Sequence, residues 1–285
     1  MTALNTTDGS GAVTAPTLLS AEGITVRFGG VLALDNVSLA VPEGATIGLV
    51  GPNGAGKTTL FGVLSGLLRP RAGRVTMGTR DVTTASPQRR AKLGLARTFQ
   101  RMELFTELTV REHLVVARRV KDGRERLVGM VRDLTGFGET PGAGEDEAVD
   151  GILELLGLTS VADRPALAIP LGTGRLLEVA RALAAEPTVM LLDEPSSGLD
   201  VHETEQLGDA LRRVREERGT AFVLVEHNVD FVLGLSDRVT VLDFGRVLIE
   251  GSPDEIRTSP EVQAAYFGAP VEDRTKGAEP EGSDA

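Results

Sequence analysis

A glycine-rich loop between a short apolar run and a helical pattern is the feature that most limits how this chain can fold. The loop is Gly51-Pro52-Asn53-Gly54-Ala55-Gly56-Lys57-Thr58; apolar residues 45–50 precede it and a helical pattern begins at Thr59. Glycines let successive backbone N–H groups turn inward around a phosphate, and the N-terminus of the following helix attracts the same anion. A chance glycine-rich turn is the alternative, but strand, loop and helix occur in the order that a phosphate-binding loop requires. The sequence therefore predicts a nucleotide-binding α/β fold.

Within this loop, individual residues offer a nucleotide different contacts. Lys57 can reach the outer phosphates as a point charge, and the Thr58 hydroxyl can ligate Mg²⁺. The predicted cofactors are therefore ATP and Mg²⁺. The residues expected to contact the nucleotide here are Gly51, Pro52, Asn53, Gly54, Ala55, Gly56, Lys57, Thr58 and Thr59.

The composition argues against several classes of partner and site. With 285 residues, 41% of them hydrophobic, the chain can bury the core of one large domain with subdomains. A net charge of −11 disfavours nucleic acid and a broad basic membrane-binding face. The chain has no cysteine, which excludes disulfides and thiolate metal sites. It shows neither a secretory signal nor the roughly 20 apolar residues of a membrane span. We therefore expect any membrane-spanning part to belong to another chain.

The chain divides into two polar ends and one folded region. We expect disordered tails at residues 1–16 and 269–285, the second of them acidic, because both are rich in small and polar residues. Residues 17–268 are predicted to form a single nucleotide-binding domain. Within it, residues 87–168 show helical periodicity and almost no strand signal, which predicts a helical subdomain inserted into an α/β core.

Strand and helix patterns outside the insertion predict two sheets. Predicted strands cover residues 19–27, 31–41, 46–50, 73–77, 80–83, 189–192, 221–225, 239–243 and 246–250. Predicted helices cover residues 110–120, 124–134, 147–156, 174–185, 201–218 and 229–235, with a loop at residues 136–146. The early strands favour a small antiparallel sheet, and the later alternation of strands and helices favours a parallel sheet with helices on its faces.

Two carboxylates follow a second apolar strand. Residues 189–192 are all apolar and are followed at once by Asp193 and Glu194. Ligands of open α/β sheets collect at the carboxyl edge of the strands, so Asp193 can hold Mg²⁺ through water and Glu194 can orient or deprotonate an attacking water. Alone, such a pair is more often a turn or a helix cap; a phosphate loop upstream favours the catalytic interpretation.

Three further residues are candidates for the nucleotide site because of their positions along the chain relative to the phosphate loop. His227 follows the next predicted strand, where a neutral imidazole can donate to a γ-phosphate and sense its presence. The other two histidines, His113 and His202, lie on predicted helices, where packed or solvated roles are expected. Gln100 lies where the core passes into the helical insertion, and its amide oxygen can contact Mg²⁺ or water and report occupancy. Phe28 can stack on adenine, and a core position is an equally good alternative.

The ordered series of Phe28, the phosphate loop, Gln100, Asp193-Glu194, Asp200 and His227 resembles the ATP-binding subunit of ATP-binding-cassette (ABC) transporters. Within that family the chain is most similar to the ATPases of branched-chain amino acid importers. That likeness is carried by Phe28-Gly29-Gly30-Val31-Leu32-Ala33-Leu34, Arg97-Thr98-Phe99-Gln100, Leu104-Phe105-Thr106-Glu107-Leu108-Thr109-Val110, and Leu235-Ser236-Asp237-Arg238-Val239-Thr240-Val241-Leu242-Asp243-Phe244-Gly245-Arg246. The implied fold is a P-loop NTPase (RecA-like) core with a small antiparallel β subdomain and an inserted α-helical subdomain.

The resemblance also implies partners and a mechanism. In the family, two subunits sandwich two ATPs head to tail, each site combining one phosphate loop with the other chain's signature segment, and Asp200 matches a nucleotide-site position. Expected partners are transmembrane permease subunits, a second ATPase in a homo- or heterodimer and, indirectly, a solute-binding protein, at the cytoplasmic face of the membrane. Hydrolysis would use Glu194, His227, Lys57 and Gln100. An ATPase for urea, amides or another small solute, and a non-transport regulatory ATPase, remain alternatives.

The chain departs from the family at the signature segment, normally Leu-Ser-Gly-Gly-Gln. Counting back from Asp193 places Ile169-Pro170-Leu171-Gly172-Thr173 there, and Pro170 has neither the hydroxyl nor the N–H of the family's serine. A shifted register would restore a hydroxyl at Thr173. Alternatively, Thr173 caps a helix and a backbone N–H near Gly172 still points at phosphate. Both altered and preserved chemistry at the partner's nucleotide stay open.

Overall fold

The computed structural model describes residues 15–98, 104–121 and 143–262. Its strands are β1 (Thr17–Phe28), β2 (Val31–Pro42), β3 (Thr46–Val50), β4 (Ala72–Met77), β5 (Arg80–Asp81), β6 (Leu95–Arg97), β7 (Val189–Asp193), β8 (Ala221–Val225), β9 (Arg238–Asp243) and β10 (Arg246–Gly251). Its helices are α1 (Lys57–Ser65), α2 (Pro87–Ala91), α3 (Val110–Lys121), α4 (Ala143–Leu155), α5 (Leu171–Leu183), α6 (Val201–Arg218), α7 (Val229–Leu235) and α8 (Pro253–Thr258).

These strands form two sheets. The first is antiparallel with the order β2-β1-β4-β5. The second has the order β10-β9-β3-β8-β7-β6; its neighbours pair in parallel except for the antiparallel edge strand β10. Strands β3, β7 and β8 are buried along their whole length, which explains their nearly continuous apolar sequences. The predicted combination of a small antiparallel sheet and a parallel core is confirmed.

Two hydrophobic cores cover the faces of the parallel sheet. One lies between the two sheets and includes Leu60 and Phe61 of α1; the other lies under the remaining helices and includes Leu177 of α5 and Leu211 of α6. Because both faces are covered, loops at the carboxyl ends of the parallel strands form the accessible edge. The phosphate loop, Glu194 and Glu226 follow β3, β7 and β8 at this edge.

Two expectations for the helical insertion are wrong. Residues 87–168 are not all part of a helical insertion, because they include strand β6, which pairs with β7 of the core sheet from Leu95 opposite Val189. The sequence did not indicate this strand, since three residues are too few to show the alternation of a strand. The predicted loop at residues 136–146 is helical from Ala143, where α4 begins with acids in its first turn. Acidic side chains at a helix N-terminus are stabilising, although the same residue types are also typical of loops.

Other boundaries differ by small amounts. Helix α1 begins at Lys57 instead of Thr59, and β5 ends at Asp81 because the Thr83 hydroxyl hydrogen-bonds back to Val75. The predicted helix at residues 124–134 and nearly all of both predicted tails lie outside the described residues. Within the described residues, no helix combines the length and apolarity that crossing a bilayer requires.

Buried His113 on α3 makes stability dependent on pH. Its Nε2 accepts the Phe105 N–H at 2.9 Å and its Nδ1 lies 2.7 Å from the Thr109 carbonyl, which fits a neutral ring protonated at Nδ1. Burial lowers the pKa of His113 below its ordinary value; the Thr109 bond and Glu112 oppose this effect and Arg181 adds to it.

Because the folded chain then binds fewer protons than the unfolded chain, we expect stability to fall as the pH drops below about 6.5. The slope contributed by one such group is at most about 1.4 kcal/mol per pH unit. Urea unfolding at several pH values should show this dependence in the wild type and in a variant of exposed His202 (His202→Gln), and a weaker one in His113→Gln. Equal slopes for wild type and His113→Gln would contradict the prediction.

Candidate functional site

The phosphate loop joins β3 to α1 through glycines in unusual backbone conformations. Gly54 and Gly56 have φ angles of 82° and 106°, in the left-handed region that side chains rarely adopt. A Cβ atom on Gly56 would lie 2.8 Å from the Ala33 carbonyl oxygen, so the loop also needs glycine for close backbone approach. No side chain caps the start of α1. Its first N–H groups can therefore donate to an anion, which fits a nucleotide phosphate.

The Lys57 ammonium lies folded over this loop. Its Nζ donates to the Gly51 carbonyl at 2.5 Å and to the Pro52 carbonyl at 3.0 Å. Burial lowers the pKa of Lys57, and the negative charge of Glu194 opposes that shift. Glu194, which follows a different strand from the phosphate loop, therefore acts electrostatically on the lysine of that loop.

At the end of β7, Asp193 and Glu194 lie in different environments. Asp193 is buried, which raises its pKa, while a hydrogen bond and the charge of Arg97 lower it; Arg97 Nη2 lies 2.9 Å from Asp193 Oδ2. Glu194 has a φ of 48°, and its N–H donates to the Val225 carbonyl at 2.8 Å. A non-glycine residue in the left-handed region is strained, and such strain is frequent at functional sites.

His227 meets Glu194 directly. The imidazole Nε2 lies 2.8 Å from Glu194 Oε1, and the side chains are 55% and 16% exposed, respectively. Since β7 and β8 are parallel neighbours, the residues that follow them meet at one edge. Sequence reasoning selected both residues, but their direct contact emerged only from the fold.

The start of α5 differs from the expected helix start. The N-cap is Pro170, without a capping side chain, and the Gly174 N–H donates to the Pro170 carbonyl, so Thr173 lies inside the first turn. The expectation that Thr173 caps the helix is therefore wrong, because the extended residue before the first turn is Pro170, three positions earlier. The Gly172 N–H donates to Glu203 Oε1 at 3.2 Å, within the same chain.

Asp200 and Glu203 form a reciprocal cap on α6. Asp200 Oδ1 accepts the Glu203 N–H at 2.8 Å, and the Asp200 N–H donates to Glu203 Oε2 at 3.2 Å. Through its other oxygen, Glu203 also links α6 to the Gly172 segment. Sequence reasoning missed Glu203, although an acid three residues after an Asp N-cap is a capping-box signal.

Two further residues, Phe28 and Gln100, were predicted as site residues from the sequence. Phe28 ends β1 and is 51% exposed, so the alternative that placed it in the core is wrong. Its ring is available for stacking. Gln100 lies outside the described residues.

A profile of the family described as ABC transporter matches residues 34–197, more than half of the chain, including the phosphate loop and the Asp193-Glu194 pair. The chain is an ATP-binding cassette of the ABC transporter family. A second profile, described as branched-chain amino acid ATP-binding cassette transporter, matches residues 246–272.

The cassette resembles bacterial transport proteins over most of its length. It is 39% identical to the high-affinity branched-chain amino acid transport ATP-binding protein LivG of Salmonella typhimurium, covering 88% of this chain and 98% of LivG. It is 36% identical to BraF, a protein of the same description in Pseudomonas aeruginosa, with the same coverage. The crystal structure of the ADP conformation of MJ1267, an ATP-binding cassette of an ABC transporter, superposes with a TM-score of 0.75, at 30% identity, covering 89% of this chain and 99% of that one. The predicted P-loop NTPase fold and ATPase class are confirmed.

In this cassette, Arg97 makes contacts that sequence reasoning did not assign. Besides Asp193, its guanidinium donates to the Ser65 hydroxyl at 3.1 Å and lies 5.7 Å from the centre of the Phe61 ring. Arg97 thus joins β6, β7 and α1. It precedes Asp193 by 96 positions, so no local pattern could reveal the pair.

Proposed function

We propose that the cassette hydrolyses ATP to power the import of branched-chain or related hydrophobic amino acids. The hydrolytic role is supported by the 2.8 Å contact between Glu194 and His227, which lies at the same carboxyl edge of the parallel sheet as the phosphate loop. The solute class is supported by the branched-chain amino acid transport for which LivG and BraF are named, and by the family match at residues 246–272.

Hydrolysis is an in-line attack of water on the γ-phosphorus of ATP. Lys57 and the N–H groups of the loop neutralise the phosphates, and Glu194 accepts the proton of the attacking water as the bond to ADP breaks. Nε2 of His227 contacts the Glu194 carboxylate. We propose that the one N–H of the neutral ring orients this carboxylate before ATP binds and donates to a γ-phosphate oxygen once ATP is bound. Phe28 stacks on adenine, while Gly172, Thr173 and Asp200 contribute to the composite site with a second ATPase subunit.

Magnesium would be held by Thr58 and Asp193, with Gln100 as a further ligand. The Thr58 side chain is exposed in the first turn of α1, and the Asp193 carboxylate lies at the carboxyl end of β7. Hydroxyl and carboxylate oxygens suit this hard cation, which keeps several waters and phosphate oxygens in nucleotide sites. When bound, Mg²⁺ would neutralise charge on the phosphates.

The cassette works at the cytoplasmic face of the membrane, bound peripherally to transmembrane permease subunits. A largely apolar cavity of about 370 Å³ lies between α1, α2, β6 and the end of α5, and Arg97 forms part of its wall. We place the permease contact here, since Arg97 joins this wall to Asp193. Gln100 and the helical subdomain transmit closure around ATP to the permease. A solute-binding protein acts indirectly, and nucleic acid is not a partner.

A second ATPase subunit completes the sites, and two features favour a heterodimer. Pro170 lacks the hydroxyl of the family's serine, and the Gly172 N–H already donates to Glu203. This chain therefore offers the partner's nucleotide a weaker signature, while its own Lys57, Glu194 and His227 face the signature of the partner.

Replacing Lys57 by alanine should weaken nucleotide binding. Hydrogen bonds to charged groups typically contribute about 1.5–3 kcal/mol, so we expect affinity for a fluorescent ATP analogue to fall about 10- to 100-fold or more. Lys92→Ala, which changes an exposed lysine at the end of α2, is the matched control and should bind normally. Unchanged affinity in Lys57→Ala would contradict the assignment of the loop.

Transport itself is tested by reconstituting the cassette with its permease subunits and solute-binding protein in liposomes that contain ATP. The proposal predicts ATP-dependent uptake of leucine, isoleucine or valine. Uptake of urea or an amide instead would select the first alternative. ATP turnover that does not respond to the permease would indicate a regulatory ATPase.

A further inference from the structure

We propose that Glu226, which does not itself face the reacting atoms, is a positioning residue that fixes Glu194 against His227. This inference rests on the proposed function, because it assumes that the two side chains act together in hydrolysis. Glu226 follows β8 directly and precedes His227. No motif singled it out.

The Glu226 carboxylate connects the two loops that carry the catalytic pair. Its Oε1 accepts the Ser196 N–H at 2.6 Å, and its Oε2 accepts the His227 N–H at 3.2 Å. Ser196 lies two residues after Glu194, and its neighbour Ser197 donates its N–H to the Glu194 carbonyl. The carboxylate therefore holds the turn after Glu194 and the backbone of His227 at the same time.

These bonds close a ring around the catalytic pair. From Glu194 the ring passes through Ser196 to the Glu226 carboxylate, then to the His227 backbone, and returns from the imidazole to Glu194 Oε1. The Glu194 N–H, bonded to the Val225 carbonyl, adds a second tie between the same two loops. A closed ring of this kind restricts the relative movement of both side chains, which is what preorganised catalysis requires.

The chemistry of Glu226 favours a role beyond filling space. It is only 3% exposed, and in the part of the chain that the structure describes no Lys or Arg forms an ion pair with it. Burying a carboxylate without a cation lowers the stability of the fold. If residue 226 had a purely structural role, an apolar side chain there would stabilise the fold more. Two carboxylate oxygens can accept two N–H groups; a glutamine offers one oxygen and would turn an NH₂ group toward the other donor.

The test replaces Glu226 by glutamine in the full-length cassette assembled with its permease subunits. We expect kcat for ATP to fall about 10- to 100-fold, as for other misplaced catalytic groups, with KM for ATP within about twofold of wild type. Glu250→Gln, which changes an exposed acid on β10, is the matched control and should keep wild-type kinetics. A kcat for Glu226→Gln within about twofold of wild type would overturn the proposal.

Nuclear magnetic resonance of the histidine rings separates positioning from general destabilisation. The chain has three histidines, so each ring can be assigned. In Glu226→Gln the ring signals of His227 should shift, while those of His113 and His202 stay in place. Unchanged His227 signals would overturn the inference even if activity fell through poor folding.

A double variant distinguishes failure of this inference from failure of the proposed function. Residues that act as one unit are non-additive, so Glu226→Gln should cost little further activity in a Glu194→Gln background. Full additivity would overturn the positioning role alone. If Glu194→Gln by itself retains wild-type hydrolysis, the proposed catalytic pair fails first.

Discussion

Replacing Glu194 by glutamine is expected to lower ATP hydrolysis on the order of 10²- to 10⁴-fold, the range typical of a lost general base. Glutamine keeps the shape of the side chain and cannot take the proton of the attacking water. Nucleotide binding should persist, because Lys57 and the phosphate loop are unchanged. Steady-state phosphate release and binding of a fluorescent ATP analogue measure the two quantities separately.

Glu186→Gln is the matched control for this experiment. Glu186 is also a glutamate in the left-handed region, with a φ of 48°, but its carboxylate pairs with Arg118 and Lys121 away from the nucleotide loop. Its replacement should leave kcat within about twofold of wild type. Hydrolysis by Glu194→Gln above about a tenth of the wild-type rate would show that another group accepts the proton.

Replacing Arg90 by methionine is expected to lower the free energy of unfolding by about 3–5 kcal/mol. The guanidinium is 0% exposed and donates to four carbonyls: Val63 and Leu64 at 2.6 Å, Val82 at 2.7 Å and Thr83 at 3.3 Å. Two of these carbonyls belong to the last turn of α1, where a positive charge also stabilises the helix dipole.

Without Arg90, these buried carbonyls lose their donor, and each unsatisfied polar group costs about 1–3 kcal/mol. Burial lowers the pKa of Arg90 to about 10, so it remains charged at neutral pH. Urea unfolding measures the loss, and Arg89→Met, at the exposed neighbouring position, should change stability by less than about 0.5 kcal/mol. A similar small change in Arg90→Met would show that water satisfies the carbonyls.

Elements with a strong local signal were predictable. Residues 46–50, 201–218, 221–225 and 229–235 have the predicted bounds, because continuous apolar runs and helical periodicity are properties of adjacent residues. The three-residue strand β6 and the acidic start of α4 were missed: one is too short to show a period, and the other has the composition of a loop.

The residue types that compose the nucleotide site are evident from the sequence alone: the phosphate loop with Lys57, the acids after β7, and His227 after β8. These features are contiguous, so their chemistry can be read without knowing the fold. Which of these residues contact one another follows from the fold. Glu194 contacts His227, Arg97 pairs with Asp193, and Glu226 ties the two catalytic loops together. Such contacts depend on the parallel order of β6, β7 and β8, which brings distant segments to one edge of the sheet, and no local pattern records that order.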